Sequence, residues 1–321
     1  MIISMSHLIL NLKKWTLPLS MFIGALSFFI VDNIDFTVHD KRLIMNIVQN
    51  LQQFLLFMML FMSFCKIKVR QLKLQKWMLI LITIQIIPFA ILGILFHFYP
   101  MSDFRLIGEC AMLCLICPTA TAASVVTMKL GGKQSVVVTY TFIINILSAF
   151  IIPLVIPLLY ESEYNINDFI ISFVGILSKT IPLLLLPMLA AIILRRILPN
   201  LHSVICAHAG LAFYIWAVGL ALAISVTTKA LVRSEESLYN LLGIAVVSLL
   251  CCVFQFIFGR VIGGKYNNKV EGTQSLGQKN TVFIIWVAYT FMNPVLALSG
   301  GFYSIWHNLI NTFQLRKYNS D

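Results

Sequence analysis

Long apolar runs alternate with short polar or charged segments along most of this chain. A hydrocarbon core of about 30 Å is crossed by roughly 20 helical residues, and the apolar runs match that length. The pattern predicts an all-α integral membrane protein in which residues 1–321 form a single membrane domain. It places ten transmembrane helices at 15–32, 43–65, 77–99, 104–128, 134–159, 168–194, 203–226, 238–262, 269–290 and 294–315.

Composition narrows the class of protein further. Hydrophobic residues make up 60% of the chain and charged residues 11%, whereas soluble domains carry about 25% charged residues. The seven cysteines lie within or beside apolar runs, so we expect them to pack between helices and not to form a disulfide framework. In such a chain the net charge of +11 reflects membrane orientation. The expected environment is a lipid bilayer, and no nucleic acid partner is expected.

The basic residues predict the orientation of the chain. If the amino terminus is cytoplasmic, sixteen of the 23 lysines and arginines lie in cytoplasmic loops. Five lie in the opposite loops, namely Lys41, Arg42, Arg105, Lys229 and Arg233. Because cytoplasmic loops of membrane proteins carry an excess of lysine and arginine, both termini are expected in the cytoplasm. The expected location is the inner (plasma) membrane of the cell, which the chain crosses many times.

Two of the predicted spans are interrupted by polar residues. Residues 117–124 are Cys-Pro-Thr-Ala-Thr-Ala-Ala-Ser, and residues 275–281 are Ser-Leu-Gly-Gln-Lys-Asn-Thr, which include Lys279. A lysine near the middle of a bilayer costs roughly 2.5–3.5 kcal/mol on insertion scales and is usually functional. Irregular backbone is tolerated at that depth only where it is buried in protein or lines a cavity. We therefore expect the two interruptions to face each other and to form a solute site.

The positions of the interruptions suggest an internal repeat. The ten spans divide into two sets of five, a first repeat at 15–159 and a second at 168–315, and the interruption falls in the fourth span of each set. An odd number of spans per repeat inverts the second repeat relative to the first. Inverted repeats with matching broken helices are typical of secondary transporters.

Three separated motifs resemble those of the bile acid:sodium symporter family. Residues 117–132 resemble its fourth-span signature, residues 275–281 its ninth-span motif Glu-x-Gly-x-Gln-Asn-Ser, and residues 302–308 part of its last span. The resemblance implies a core domain of spans 3, 4, 5, 8, 9 and 10, in which broken spans 4 and 9 cross. It also implies a panel domain of spans 1, 2, 6 and 7, with substrate bound in the cleft between the two domains and alternating access by their relative motion.

The sodium ligands of that family are altered here. The resemblance implies that the ninth-span glutamate and glutamine positions of sodium-coupled members are occupied by Ser275 and Lys279. The positions equivalent to the ion site are Ala123, Ser124, Val137, Thr141, Ser275 and Lys279. An ammonium group and a sodium ion repel each other strongly in a small pocket of low dielectric constant, so sodium coupling and a bound metal are not expected.

The hypothesis that follows is that Lys279 replaces the sodium ion. Its ammonium group would form hydrogen bonds with backbone carbonyls, Thr141 and Ser275. Burial disfavours the charged form of a lysine, so proton exchange at Lys279 could couple transport to pH. The alternative is that Lys279 is a fixed structural strut in an uncoupled uniporter. Both interpretations remain open at this point.

The predicted function is secondary transport of a bile-acid-like anion or a small carboxylate. The amino termini of broken helices favour an anionic group. Lys179, between Ser178 and Thr180, either faces the cleft or pairs inside the helix bundle. The expected substrate-binding residues are Thr119, Thr121, Ser124, Lys179, Gln278 and Asn280.

Two other functions are compatible with the same pattern. One is a membrane sensor or receptor built on a transporter fold, and the other is a sodium-dependent symporter with an altered site. An intramembrane enzyme is not expected, because the spans contain no H-E-x-x-H motif, no G-x-S-x-G motif and no paired carboxylates. No catalytic residue and no cofactor are therefore predicted.

Overall fold

The computed structural model describes residues 2–66, 72–160, 166–208 and 211–320, and these residues are largely helical. A short 3-10 helix, Pro294–Leu296, precedes the last α-helix. The α-helices are α1 (Ile2–Asp32), α2 (Val38–Cys65), α3 (Lys76–Phe98), α4 (Arg105–Ile116), α5 (Ala122–Lys129), α6 (Gln134–Tyr160), α7 (Ile166–Leu184), α8 (Leu186–Ile197), α9 (Pro199–Ala207), α10 (Leu211–Val232), α11 (Leu238–Lys265), α12 (Lys269–Gly277), α13 (Thr281–Phe291) and α14 (Ala297–Ser320).

Six helical segments in these ranges are long and apolar enough to cross a bilayer. They are most or all of α2, then α3, α6, the combined segment α7–α8, α10 and α11. Large apolar side chains such as Ile91, Phe150 and Leu250 are exposed on their outer faces, as expected where lipid replaces water as the surrounding solvent. The molecule is therefore a multi-pass helical membrane protein.

The region between α7 and α10 differs from the predicted spans. The predicted span 168–194 is divided at Leu185, between Pro182 and Pro187, because proline lacks the N–H group that an uninterrupted helix requires. The predicted span 203–226 begins too early. Its first apolar residues belong to the short helix α9, which Pro199 starts, and the next long helix runs from Leu211 to Val232.

The segment formed by α12 and α13 lies at the centre of the fold. Every residue from Glu271 to Ala288 is buried. Packing against α11 is close because a glycine lies on each side of the contact: a Cβ atom on Gly272 would lie 2.4 Å from the carbonyl oxygen of Gly259. Small residues let membrane helices approach closely. Here they allow a polar segment to run through the interior of the protein.

Buried carboxylates secure both ends of the helices around this centre. Arg105 Nε donates to Glu109 Oε1 at 2.8 Å, and the two residues form an ion pair with the i, i+4 spacing of neighbours on one helix. At the start of α6, the backbone N–H of Lys133 donates to Glu271 Oε1 at 2.7 Å. The Tyr160 hydroxyl at the end of α6 also donates to Glu109, at 3.2 Å, and so connects α6 to α4. The Glu271 contact connects the start of α6 to α12.

Candidate functional site: two crossing helix breaks beside a cavity

The two polar interruptions contact each other directly, as the sequence predicts. Residues between α4 and α5 pair with residues between α12 and α13 through an antiparallel bridge at Thr119 and Lys279. The backbone N–H and C=O groups that have no helical partner at the two breaks therefore form hydrogen bonds with each other. Such pairing is required where no water is present. The bridge has two main-chain hydrogen bonds of 2.9 Å, from Ala120 N to Gln278 O and from Asn280 N to Pro118 O.

The two side chains of the bridge make reciprocal contacts. Thr119 Oγ1 donates to the carbonyl oxygen of Ser275 at 2.5 Å, and Lys279 Nζ donates to the carbonyl oxygen of Leu115 at 3.3 Å. Each side chain therefore reaches the carbonyl four residues before its bridge partner. Adding 160 to the residue numbers of the first break gives the equivalent residues of the second, as for Thr119 and Lys279. The same offset relates Leu115 to Ser275, the two residues whose carbonyl oxygens accept these hydrogen bonds. The crossing therefore has local two-fold pseudosymmetry.

Amide and hydroxyl side chains satisfy the remaining carbonyls at the broken end of α4. Gln85 Nε2 and Ser148 Oγ donate to the carbonyl oxygen of Ile116 at 2.9 and 3.2 Å. Gln85 is oriented by Tyr140, whose hydroxyl donates to Gln85 Oε1 at 3.1 Å. Since a helix ends with carbonyl groups that have no intrahelical partner, these side chains stabilise the break without water.

Lys279 is almost completely buried, with 1% of its surface exposed. Its ammonium group lies at the carboxyl end of α4, where the helix dipole is negative and a cation is favourable. The side chains of Cys114, Cys117, Cys251 and Cys252 lie near the ammonium group. Within the described residues no carboxylate forms an ion pair with Lys279, so the helix end is its main electrostatic partner.

The predicted hydrogen bonds from Lys279 to Thr141 and Ser275 are wrong. Thr141 Oγ1 donates instead to the carbonyl oxygen of Val137 at 2.9 Å, which is the usual way for a threonine to satisfy its hydroxyl inside a helix. Ser275 Oγ is buried and has no partner among the described residues. The lysine side chain extends from the break to the end of α4 and so does not reach these two hydroxyls.

The other positions equivalent to the ion site are packed into the interior. Ala123 and Val137 are fully buried, and Ser124 Oγ donates to the carbonyl oxygen of Thr121 at 3.1 Å. The part of the chain that the structure describes contains no group of three or more histidine, cysteine, aspartate or glutamate side chains arranged to hold a metal ion. Neutral side chains and one ammonium group therefore make up the crossing.

A cavity of about 590 Å³ lies beside the crossing. It brings together five of the residues predicted to bind substrate or replace the ion, namely Thr121, Ser124, Gln278, Lys279 and Asn280. Thr119 is not among the lining residues, because its side chain is directed to Ser275. The amino ends of α5 and α13 both begin at this cavity, and Asn280 Oδ1 caps α13 by accepting from Phe283 N at 3.3 Å.

The walls of the cavity differ in chemistry. One wall comes from α2 and α10 and is mainly apolar, with Met59, Leu60, Met62, Phe213 and Trp216. The other wall comes from the crossing, α5, the start of α6 and α14, and is mainly polar. Lys66, Lys129 and Lys279 line the cavity, and no aspartate or glutamate is among its described lining residues. The cavity thus suits an amphipathic solute with negative charge.

Several polar lining residues were not identified from the sequence. They are Gln134 at the start of α6 and His307, Asn308, Asn311 and Thr312 on α14. Two of them, His307 and Asn308, lie in the segment 302–308 that resembles the last span of the bile acid:sodium symporter family, but they were not among the expected substrate-binding residues. The signal that could have identified this face is the i, i+4 spacing of His307 with Asn311 and of Asn308 with Thr312, which places all four on one side of a helix.

Lys179 lies away from this cavity. It is exposed on α7, and its Nζ lies 5.5 Å from the centre of the Phe291 ring, at the end of α13. That distance and partner are those of a cation–π contact. The structure therefore separates Lys179 from the other predicted substrate-binding residues.

No protein-family model matches this chain, and no curated protein is significantly similar to it. The fold and composition define a multi-pass helical membrane protein. Within the described residues its most distinctive feature is the crossing of two broken helices at the wall of a lysine-containing cavity.

Proposed function

We propose that this protein is a secondary transporter of organic anions, of the bile acid:sodium symporter type. The observation that carries the proposal is the pair of crossing helix breaks at the wall of a cavity lined by three lysines and no described carboxylate. Broken helices at the substrate site are the recurring device of secondary transporters. The resemblance of residues 117–132, 275–281 and 302–308 to that family supports the same conclusion.

The offset of 160 residues supports ten spans in two inverted repeats. Applied to α6, which spans Gln134–Tyr160, the offset gives 294–320, the range of the 3-10 helix and α14 together. Applied to the break between α4 and α5, it gives the break between α12 and α13. In this proposal the repeats are 15–159 and 168–315, and the antiparallel bridge lies at their pseudo-two-fold axis.

The packing is compatible with a core domain and a panel domain. Helix α2 packs against α8 and α10, and α10 packs against α1, which would form the panel. Helices α3 and α11 pack against α4, and α11 and α13 pack against α14, which would form the core. The cavity has walls from both groups of helices. Movement of one group relative to the other would then open the cavity to each side of the membrane in turn.

The charge distribution favours an anion as the transported solute. Lys66 and Lys129 would attract it to the cavity, and the amino ends of α5 and α13 would stabilise it there. Lys279 would take the place of the sodium ion by neutralising the carboxyl end of α4, to which it donates a hydrogen bond. Two mechanisms follow from this position: Lys279 exchanges its proton during the cycle, or it remains a fixed strut while transport follows the anion gradient alone.

The experiment is uptake of radiolabelled cholate and of pantoate into proteoliposomes, with sodium or choline outside and with or without a pH gradient. Saturable uptake of at least one anion without sodium is expected. Lys279→Gln should reduce uptake strongly, whereas Lys265→Gln, the same change at an exposed position outside the cavity, should not. Dependence on the pH gradient that Lys279→Gln abolishes identifies proton coupling. Unchanged uptake by Lys279→Gln at every pH rejects both mechanisms, and binding of anions without any flux indicates a sensor.

A further inference from the structure

The two sides of the crossing differ in how tightly they are packed. Helices α5 and α13 are equivalent in the pseudosymmetry, because the offset of 160 residues places Ala122–Lys129 on residues 282–289 of α13. Helix α5 packs against α6 and α12 and borders the cavity, whereas α13 packs against α2 and α10 as well as α14. In the proposed division α2 and α10 belong to the panel. The cavity therefore separates core from panel beside α5, while core and panel are in contact beside α13.

The segment formed by α7 and α8 changes its packing partner at its break. Helix α8 packs against α2 of the panel, whereas α7 packs mainly against α6, a neighbour of the core helix α3. The buried Thr180 Oγ1 of α7 lies 3.1 Å from the carbonyl oxygen of Ala149 on α6. Pro182 and Pro187 flank the break at Leu185, and each lacks the N–H group that a continuous helix uses at that position. The break therefore lies where a hinge between panel and core is required, at the end of a helix.

Lys179 connects α7 to the closed side of the crossing. Its Nζ lies 5.5 Å from the centre of the ring of Phe291, the last residue of α13. Thr281 and Val282, at the start of α13, line the cavity, and Phe291 lies about 15 Å further along the helix. A lysine within an apolar transmembrane segment is costly and is usually functional. The contact between Lys179 and Phe291 is therefore on the side of the crossing opposite to the cavity, where core and panel meet.

We propose that α7 is the closed gate of this conformation and that Lys179 holds it shut through its contact with Phe291. The inference rests on the proposed function, because a protein that opens to each side in turn requires a gate on the side that is closed. In the opening step α7 bends at the break between Pro182 and Pro187 and moves away from α13, which separates the ammonium group from the ring. This role differs from the substrate contact that the sequence predicts for Lys179.

The test uses one introduced cysteine on each side of the crossing. Ala288→Cys lies on α13 at a fully buried position, one turn before Phe291 and on the same face of the helix. Val125→Cys lies on α5 in the wall of the cavity. The purified protein in lipid nanodiscs is labelled with N-ethylmaleimide, and peptide mass spectrometry follows each introduced cysteine separately from the native ones. Because a cation–π contact at an exposed site is equivalent to about a two- to fivefold change in an equilibrium, Lys179→Met should speed labelling of Ala288→Cys by about that factor and should not speed labelling of Val125→Cys.

Matched variants assign the effect to the contact itself. Lys179→Arg should keep the slow rate, since a guanidinium group also binds aromatic rings, and Lys265→Met, the same loss of charge at an exposed position on α11, should not change it. Phe291→Leu should act like Lys179→Met, and the double variant should exceed neither single one, because both remove one interaction.

Three outcomes would overturn the gate. Unchanged labelling of Ala288→Cys in Lys179→Met would show that Lys179 does not hold α7 shut. Equal acceleration of Ala288→Cys and Val125→Cys would show a general loosening of the fold. Both results leave anion transport intact, since uptake by the unmodified protein measures it independently. Absence of that uptake for every anion tested would overturn the proposed function and the gate with it, whatever the labelling rates.

Discussion

Replacing Thr119 by valine removes a hydroxyl group without a large change of shape. In the native protein this hydroxyl donates to the carbonyl oxygen of Ser275 at 2.5 Å, and both residues are fully buried. The substitution therefore leaves a carbonyl at the broken end of α12 without this partner. A buried group left unsatisfied costs about 1–3 kcal/mol, whereas hydrogen bonds between membrane helices average about 0.6 kcal/mol and reach about 1.7 kcal/mol.

The upper part of the membrane range applies here. The low average arises because a polar group in the unfolded chain finds other partners inside the membrane. The Ser275 carbonyl lies in the last turn of a helix that ends at Gly277, so it has no helical partner when Thr119 is removed. We expect Thr119→Val to lower the free energy of unfolding by about 1–2 kcal/mol.

The assay is unfolding of the purified protein in mixed micelles with increasing amounts of sodium dodecyl sulfate. The control is Thr83→Val, because Thr83 is exposed on α3 and its hydroxyl donates at 2.9 Å to the carbonyl of Leu79 within the same helix. That change should stay within about 0.5 kcal/mol, and Thr119→Ser should restore most of the stability. If Thr119→Val and Thr83→Val have the same small effect, the reciprocal contacts do not stabilise the crossing and the reasoning is refuted.

Two further predictions concern the ion and the packing of the crossing. Replacing choline by sodium at constant ionic strength should leave the melting temperature unchanged, because in our proposal the ammonium group of Lys279 takes the place of the ion. Bound sodium at a hundredfold excess over its Kd would stabilise the fold by about 2.7 kcal/mol, so a sodium-specific rise in melting temperature would show that Lys279 does not replace the ion. Gly272→Leu should abolish folding, since even a Cβ atom at this position would lie 2.4 Å from the Gly259 oxygen. The control is Gly264→Leu, which should be tolerated because a Cβ atom there has no neighbouring atom within 4 Å. The yield of monodisperse protein after gel filtration measures the effect of both changes.

The helix breaks could be predicted from the sequence because their polarity contradicts the apolar segments around them. Residues 117–124 and 275–281 are recognisable for that reason, and their contact follows from the cost of unpaired backbone in a membrane. The Arg105–Glu109 ion pair was predictable for a similar local reason, the i, i+4 spacing on a helix. In both cases the signal comes from residues that are close in sequence, although the contact between the breaks joins the distant positions 119 and 279.

The partners of Lys279 could not be predicted in the same way. Its side chain is long, and the choice between Leu115 O and the hydroxyls of Thr141 and Ser275 depends on how α4, α6 and α12 pack. In the folded protein the ammonium group donates to Leu115 O, and the Thr141 hydroxyl donates to the carbonyl of Val137 in its own helix. The polar face of α14 was missed for a different reason: His307 and Asn311 are ordinary interhelical polar residues until the neighbouring cavity is known.

The crossing also explains how one lysine can be accommodated without a carboxylate partner. The carboxyl ends of α4 and α12 both terminate at the crossing, and each carries roughly half a negative charge from its helix dipole. Lys279 donates to the end of α4, whereas the equivalent contact to α12 comes from the neutral Thr119. One ammonium group therefore offsets about one unit of dipolar charge, while the positive amino ends of α5 and α13 begin at the cavity. In the proposed function the ammonium group takes the place of a sodium ion, and we infer that this arrangement leaves an anion as the charged solute for which the cavity is suited.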